Sequence, residues 1–307
     1  MWCIAGTLPN PDLPLLPSGM EGQSTVREGM LHLPDGPALP VERGSAALAA
    51  TAILACRELG FAPPRLLLAG DSGSGAGSRA VYAWLERHMA ELSPRGITFH
   101  YLFPDLDWHN RVLLAAQALP APPILAADAG FMYVAKMSGY AEAYDLFTPD
   151  LGELAFLADE KAPHPFYTRG FLLAHEEDAP ALLQRALEHN NCAANMIIKG
   201  AKDYIVEHGR ITATVDAPSV PAMECIGGTG DLVTGLATAF LCGGAPMGEA
   251  CTAAARVARL LARHCAPNPG TSIGELIEHL PQTLRAANAA LPACLALRVT
   301  PAANPTA

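Results

Sequence analysis

The chain has 307 residues, of which 50% are hydrophobic and 16% charged, and its formal net charge is −10. A chain of this length with so little charge can bury a sizeable core, which excludes a disordered protein. The negative charge argues against a nucleic-acid partner, because few cations are available to neutralise phosphates. The start of the chain has no basic segment before an apolar core, and the longest apolar run, 46–56, is too short for a bilayer. We therefore expect no signal peptide, no membrane association and a cytoplasmic location.

The cysteine and histidine patterns indicate neither a metal site nor a disulfide framework. The eight cysteines have no CxxC spacing, and most lie in apolar sequence such as ILAC and AFLC. We predict that they are buried, reduced thiols. The ten histidines form no HExxH or other paired metal motif, so none is assigned as a ligand.

Helices and strands alternate along the first half of the chain. Residues 1–43 are rich in proline and glycine and are predicted to form an irregular arm with short strands. The next predicted element is a helix at 44–60 that is apolar almost all round. After it come a strand at 63–70, the glycine loop DSGSGAGS at 71–78 and a helix at 79–92. They are followed by a strand at 96–103, a helix at 108–119 and two strands at 122–130 and 144–149.

The same alternation continues in the second half. The predicted helices there cover 152–158, 178–190, the apolar run after GGTGD, 247–264 and 273–290. A strand is predicted at 195–200 and a hairpin at 203–215 that turns at His208 and Gly209. Residues 296–307 are predicted to be a frayed tail. Alternating strands and helices predict an α/β sandwich with a largely parallel sheet, and we expect one domain over 1–307.

The GGTGD motif is the strongest chemical signal in the sequence. Its glycines allow a tight turn and a close approach to a ligand, and the helix that follows begins with unpaired N–H groups and a positive dipole end. Such a helix start binds anions. Asp231, in the first turn, is either an ordinary helix-stabilising acid or a base that takes a proton from a substrate hydroxyl.

Two further motifs precede GGTGD, namely TPDLGEL at 148–154 and KGAKD at 199–203. In this order the three resemble the NAD(P)HX dehydratase branch of the ribokinase-like superfamily, whose members show TPHPGEL, KGAGT and GGTGD. The resemblance covers roughly residues 120–265. It implies a ribokinase-like three-layer sandwich with a mostly parallel central sheet of about eight or more strands and helices on both faces.

The resemblance also implies roles for individual residues. Asp231 corresponds to the catalytic base and Glu153 to an acid of the Mg²⁺ and phosphate network. The implied anion hole is formed by Gly227, Gly228, Thr229 and Gly230. The implied adenine nucleotide segment is Lys199, Gly200, Ala201, Lys202 and Asp203. The cofactors implied are ATP or ADP and Mg²⁺.

The chain departs from the family pattern on the substrate side. Asp150 replaces the histidine of TPHPGEL, FPDLD (103–107) stands where GPGLG is expected, and AADAG keeps only Asp128 of DADAL. The residues we assign to the substrate side are Asp71, Gly77, Ser78, Asp128, Thr148 and Asp150. The glycine loop lacks the GK[ST] of a P-loop and the GxGxxG spacing of a dinucleotide-binding fold. Two interpretations of this loop therefore stay open, a plain strand-to-helix connection and a role on the substrate side. A serine hydrolase is a remote alternative, because no acid and histidine can be assigned in order.

Three functions follow as expectations. The first is ADP- or ATP-dependent dehydration of hydrated NAD(P)H, in which phosphoryl transfer to a hydroxyl is followed by elimination. The second is a small-molecule kinase acting on a sugar or vitamin precursor. The third is a non-catalytic nucleotide-binding protein. The expected partners are a small-molecule substrate and an adenine nucleotide, and the sequence leaves homo-oligomer formation open.

Overall fold

A computed structural model describes residues 1–34, 36–162, 178–288 and 291–295. Its main sheet has eight strands in the order β11-β10-β9-β8-β7-β6-β1-β5. These strands are β1 (Trp2–Leu8), β5 (Arg65–Gly70), β6 (Gly96–His100), β7 (Ile124–Asp128), β8 (Leu146–Phe147), β9 (Asn195–Ile198), β10 (Asp203–Glu207) and β11 (Arg210–Val215). The pairs β5–β1, β1–β6, β6–β7, β7–β8 and β8–β9 are parallel, whereas the β9–β10 and β10–β11 pairs are antiparallel. The mostly parallel α/β sheet is confirmed.

Helices cover both faces of this sheet. They are α1 (Ser18–Glu21), α2 (Ser45–Glu58), α3 (Ala76–Leu92), α4 (Leu106–Gln117), α5 (Gly130–Met137), α6 (Leu151–Leu157), α7 (Ala179–Glu188), α8 (Thr229–Cys242), α9 (Met247–Cys265), α10 (Ile273–Glu278) and α11 (Leu280–Ala287). Alternate residues of a strand point to opposite faces. Ile4 accordingly packs in a core with α2, α8 and α9, whereas Cys3 and Ala5 pack in a second core with α3, α4 and α5. The predicted three-layer arrangement is confirmed.

The irregular arm predicted for 1–43 is wrong for its first residues. Trp2–Leu8 forms an interior strand of the main sheet, between β6 and the edge strand β5, and all seven of its residues are buried. WCIAGTL is a continuous run of apolar and small residues, as expected of a parallel strand covered on both faces. The arm also contains a small antiparallel sheet of β2 (Thr25–Arg27), β3 (Met30–His32) and β4 (Ala38–Pro40).

Other differences concern the bounds of elements. The helix α5 was not predicted, and the strand predicted at 144–149 is only two residues long. The helix predicted at 273–290 is two helices that meet at His279, because Pro281 is tolerated only in the first turn of a new helix. The predicted tail, 296–307, lies outside the described residues.

The cysteine prediction is confirmed in part. All eight thiols are free, and Cys3, Cys56, Cys192 and Cys251 are buried, but Cys225 and Cys294 are exposed. Among the described residues no helix has both the length and the apolar character needed to span a bilayer.

Candidate active site

The carboxyl ends of β6, β7 and β9 meet the first turn of α8 around a cavity of about 590 Å³. Ligands of open parallel sheets bind at these strand ends, where loops and helix N-termini converge. Asp128 and Asp231 line the cavity beside Lys199. Strand register decides part of this grouping, since His100 of β6 pairs directly with Asp128 of β7. Asp150 and Lys199 likewise form an isolated parallel bridge.

Asp231 is a buried residue of the cavity lining, and two groups fix its carboxylate. Its Oδ2 accepts the backbone N–H of Gly44 at 2.6 Å, and its Oδ1 lies 2.9 Å from Nε2 of His100. Burial alone would raise the pKa of Asp231, but His100 and then the Gly44 N–H and Lys199 outweigh it, so the pKa lies below its ordinary value. The side chain is therefore an oriented carboxylate at neutral pH.

The start of α8 has the local features expected of an anion site. Gly228 precedes the helix with φ 96°, a left-handed conformation that other residues adopt at a cost in strain. The first N–H groups of the helix have no intrahelical acceptor, and the helix dipole is positive at this end. Gly228, Thr229 and Gly230 line the cavity together with Asp231, whereas Gly227 does not. The anion site and the carboxylate therefore share one wall.

Lys199 lies beside the first turn of α8. Its Nζ is 2.9 and 3.1 Å from the two carboxylate oxygens of Asp128. A Cβ built on Gly230 would be 3.2 Å from Nζ, so the ammonium group packs against the first turn of α8. Burial opposes its charge, but Asp128 and Glu153 raise the pKa of Lys199 above its ordinary value. Lys199 is a permanent cation here.

Asp128 is held by three groups. Besides Lys199, it accepts hydrogen bonds from the Thr234 hydroxyl at 2.6 Å and from the Ala129 N–H at 2.8 Å. Thr148 does not line the cavity, and its hydroxyl lies 2.9 Å from that of Thr234. Thr148, assigned to the substrate side from sequence, therefore supports Asp128 from behind.

The segment after Lys199 is shaped by an arginine that the sequence analysis missed. Arg259, from the middle of α9, is bound through Nε to Asp203 at 2.9 Å and through Nη2 to the carbonyl of Gly200 at 3.0 Å. Asp203 also accepts the N–H of Gly200. Gly200, Ala201 and Asp203 line the cavity and Lys202 does not. Nothing in the periodicity of α9 singles out Arg259, because arginines recur along its solvent side.

Asp150 and Glu153 form a capping box at the start of α6. The Glu153 N–H donates to Asp150 at 2.8 Å, and the Asp150 N–H donates to Glu153 at 2.9 Å. Glu153 also accepts the Tyr133 hydroxyl, and burial raises its pKa to about 8. Both residues line the cavity, and Asp150 is exposed there. In the ionised form their carboxyl groups are the hard oxygen donors that suit Mg²⁺. The bonds already made by Glu153 favour contact through water over direct ligation.

The glycine loop before α3 does not line the cavity. Asp71 accepts the N–H groups of Gly73 and Gly75 through one oxygen and the N–H and hydroxyl of Ser78 through the other. A Cβ at Gly77 would overlap the carbonyl of Gly70. The structure therefore favours the strand-to-helix connection over a substrate role for Asp71, Gly77 and Ser78.

A family model described as NAD(P)H-hydrate dehydratase matches residues 107–285, more than half of the chain. The chain belongs to the NAD(P)H-hydrate dehydratase family. It is 34% identical over 221 residues to an uncharacterized protein of Methanocaldococcus jannaschii, a match that covers 72% of this chain and 90% of that one. It is 32% identical over 142 residues to the bifunctional NAD(P)H-hydrate repair enzyme Nnr of Pyrobaculum aerophilum, which is 46% of this chain and 25% of that protein.

Solved structures agree on the fold. The ADP/ATP-dependent NAD(P)H-hydrate dehydratase of Bacillus subtilis, co-crystallised with ATP and Mg²⁺, has a TM-score of 0.55 and 16% identity over 93% of this chain and 89% of its own. A ribokinase-like superfamily protein of Enterococcus faecalis has a TM-score of 0.52 and 15% identity over 93% of this chain and 86% of its own. The ribokinase-like fold predicted from sequence is confirmed.

Within this member of the NAD(P)H-hydrate dehydratase family, two residues that hold Asp231 lie outside the matched range. Gly44 begins α2 with φ 67°, and His100 ends β6 with no exposed surface. Tyr101, with φ 51°, follows it and lines the cavity with 52% of its surface exposed. The rule that ligands bind at strand ends could have indicated His100, whereas no local signal marks Gly44.

Proposed function

We propose that the protein transfers a phosphoryl group from an adenine nucleotide to a hydroxyl of hydrated NAD(P)H and thereby dehydrates it. The observation that carries this proposal is the position of Asp231, an ionised and buried carboxylate on the cavity wall that also contains the N-terminus of α8. A general base and an anion site within one helical turn are the two groups that phosphoryl transfer to an alcohol requires.

The chemistry follows from these two groups. Asp231 takes the proton of the substrate hydroxyl, and the hydroxyl oxygen forms a bond to the terminal phosphorus. The bond from that phosphorus to its bridging oxygen breaks, and the electron pair leaves with the nucleotide. The N–H groups of α8 and the Lys199 ammonium stabilise the phosphoryl oxygens. Phosphate then leaves from carbon with the bonding electrons, and a proton lost from the neighbouring carbon restores the double bond of the reduced nicotinamide.

Part of the cavity lining suits the base of a nucleotide. The lining includes seven apolar residues beside the polar Ser219, Glu224 and Arg259, namely Pro218, Val220, Pro221, Met223, Val233, Ala258 and Ala262. An apolar lining in the same cavity as a helix N-terminus and one cation matches a molecule that has a planar base and phosphates. When bound, Mg²⁺ would neutralise part of the phosphate charge, and Asp150 and Glu153 are the residues that would hold it through water.

One observation favours a second function, a small-molecule kinase on the same site. Asp150, which replaces the histidine of the family motif, is exposed in the cavity. A carboxylate can accept hydrogen bonds from several hydroxyls of a sugar or vitamin precursor. In that case the phosphorylated alcohol would be the product, with no elimination.

The experiment is to incubate the protein with hydrated NADH, Mg²⁺ and either ATP or ADP, and to follow the return of the absorbance of reduced nicotinamide. Asp231→Asn should lower kcat by about 10²–10⁴-fold with nucleotide affinity nearly unchanged, because it removes the base and keeps the N–H groups. Asp145→Asn is the matched control, since this partly buried carboxylate accepts the Leu125 N–H outside the cavity.

Three outcomes would separate the functions. Absorbance recovery that Asp231→Asn abolishes and Asp145→Asn retains supports the dehydratase. Nucleotide turnover on a panel of alcohols, without recovery from hydrated NADH, supports the kinase. Tight nucleotide binding without turnover on any substrate, or equal loss of kcat and affinity in Asp231→Asn, contradicts a catalytic Asp231.

A further inference from the structure

The imidazole of His100 lies in a buried chain of three side chains that ends at Asp231. Its Nδ1 is 2.9 Å from the hydroxyl of Ser45, and its Nε2 is 2.9 Å from Oδ1 of Asp231. His100 has no exposed surface and Ser45 only 1%. Ser45 follows Gly44, whose N–H binds the other oxygen of Asp231. The start of α2 and the end of β6 therefore hold Asp231 from two sides.

The short contact to Asp231 determines where the ring protons lie. An unprotonated Nε2 carries a partial negative charge and would lie 2.9 Å from an anionic carboxylate oxygen, which is repulsive. Nε2 must therefore carry a proton. In the neutral ring Nδ1 then has none, so it accepts the hydroxyl proton of Ser45. Serine can make this bond because its hydroxyl rotates to donate or accept.

The contact leaves Asp231 able to act on a substrate. Nε2 has no well-aligned acceptor among the described residues, so the N–H does not point straight at Oδ1. Catalytic hydrogen bonds of this kind commonly tighten when the substrate is bound. A carboxylate has about four lone-pair positions; the Gly44 N–H uses one, and His100 uses at most one more, if its contact tightens to a hydrogen bond. The remaining positions are available to an incoming hydroxyl.

A metal ion is a weaker interpretation of the same residues. One donor atom each from His100, Asp128 and Asp231 lies within 4.8 Å of the others. However, the Lys199 ammonium already lies 2.9 Å from Asp128 and neutralises it. Asp231 accepts the Gly44 N–H and has the protonated Nε2 of His100 2.9 Å away, so both carboxylates have partners without an ion.

We propose that His100 is a positioning residue that orients the ionised Asp231 carboxylate, and that the Ser45 hydroxyl holds the imidazole in place by donating to Nδ1. The inference rests on the proposed role of Asp231 as the base. It concerns residues at 45 and 100, outside the range 107–285 matched by the family.

The proposal has a pH signature, because His100 is one of several groups that face Asp231. The others are the anionic Asp128, the Glu153 carboxyl group, the Lys199 cation and the Tyr101 phenol, whose ring centre is 4.4 Å from that of His100. Loss of His100 removes a hydrogen-bond donor to the carboxylate while the acidic neighbours stay. The proton affinity of Asp231 then rises, and the acidic limb of the rate profile moves to higher pH.

The first test is the pH dependence of kcat for His100→Phe, His100→Gln and Ser45→Ala. His100→Phe should lower kcat by at least about tenfold and move the acidic limb up by about one pH unit, with the nucleotide KM within about twofold of wild type. His100→Gln, which retains an N–H donor, should recover part of both effects, and Ser45→Ala should show smaller shifts of the same sign.

Thr98→Val is the matched control. Thr98 lies two residues earlier on β6, and its hydroxyl binds Trp2 and Thr238 but no residue of the cavity. The variant should lose stability without moving the acidic limb. An acidic limb that stays in place in His100→Phe, or that moves as far in Thr98→Val, overturns the proposal.

The second test reads the tautomer directly and does not require activity. Long-range proton–nitrogen NMR spectra of the full chain with ¹⁵N-labelled histidine should show a histidine protonated at Nε2 whose signals vanish in His100→Gln and persist in Thr98→Val. A ring protonated only at Nδ1 overturns the proposal whatever the assays give. Full activity of Asp231→Asn would instead refute the proposed function, so the two failures are distinguishable.

Discussion

Replacing Lys199 by methionine should destabilise the fold as well as affect ligand binding. The ammonium contacts both oxygens of Asp128, which has only 2% of its surface exposed. Methionine fills most of the same volume but removes the charge. Asp128 would then be a buried carboxylate that keeps, among the described residues, two hydrogen-bond donors, the Thr234 hydroxyl and the Ala129 N–H.

The expected magnitude follows from burial. Removing one partner of a buried ion pair typically costs 3–5 kcal/mol, because the other charge stays desolvated. The two remaining donors compensate Asp128 in part, so we expect about 3 kcal/mol for Lys199→Met. The stability loss of the double variant Asp128→Asn/Lys199→Met should be smaller, by at least about 2 kcal/mol, than the sum of the losses of the two single variants. The reason is that the double variant leaves no unpaired charge.

Urea unfolding at neutral pH measures these values. Arg111→Met is the matched control, since the Arg111–Glu86 pair has a similar distance of 3.0 Å but side chains that are 46% and 32% exposed. Exposed pairs contribute about 0–1 kcal/mol. A loss in Lys199→Met no larger than in the control, or strict additivity in the double variant, would refute the view that this lysine is a structural partner of Asp128.

Two further variants test the buried acid of α6 and the packing of α8. Burial raises the pKa of Glu153 to about 8 from 4.5, so its stabilising contribution is full below pH 4.5 and is lost as pH rises through 8. When the pH is raised from about 5 to about 9, the free energy of urea unfolding should therefore fall less in Glu153→Gln than in the wild type. An equal fall in the two proteins would contradict a raised pKa. A Cβ at Gly235 would lie 2.6 Å from the Leu48 carbonyl, so Gly235→Ala should cost about 1–3 kcal/mol in thermal unfolding. Gly248→Ala, which meets only the flexible carboxylate of Glu207, should be near neutral or stabilising, and an equal cost would contradict the packing argument.

Features of this fold that depend on a local signal are predictable from the sequence. The predicted hairpin turns at His208 and Gly209 as expected, because a dipeptide with positive φ at both residues suits a tight turn. The N-terminal strand β1 was not predicted, because the prolines after residue 8 favour an irregular arm over the whole of 1–43. The glycine loop was given a substrate role because loops at strand ends often bind ligands, yet Asp71 uses both oxygens to close the loop on itself.

The sequence by itself determined the alternation of strands and helices, the glycine start of α8 and the presence of an acid in its first turn. These properties depend on hydrophobic period and on backbone conformations that neighbouring residues decide. Only the tertiary structure decided what surrounds that acid. The Gly44 N–H reaches Asp231 across 187 residues of chain, and His100 arrives from another strand because parallel pairing aligns the ends of β6 and β7. Such contacts have no local pattern, since they arise from where whole elements pack.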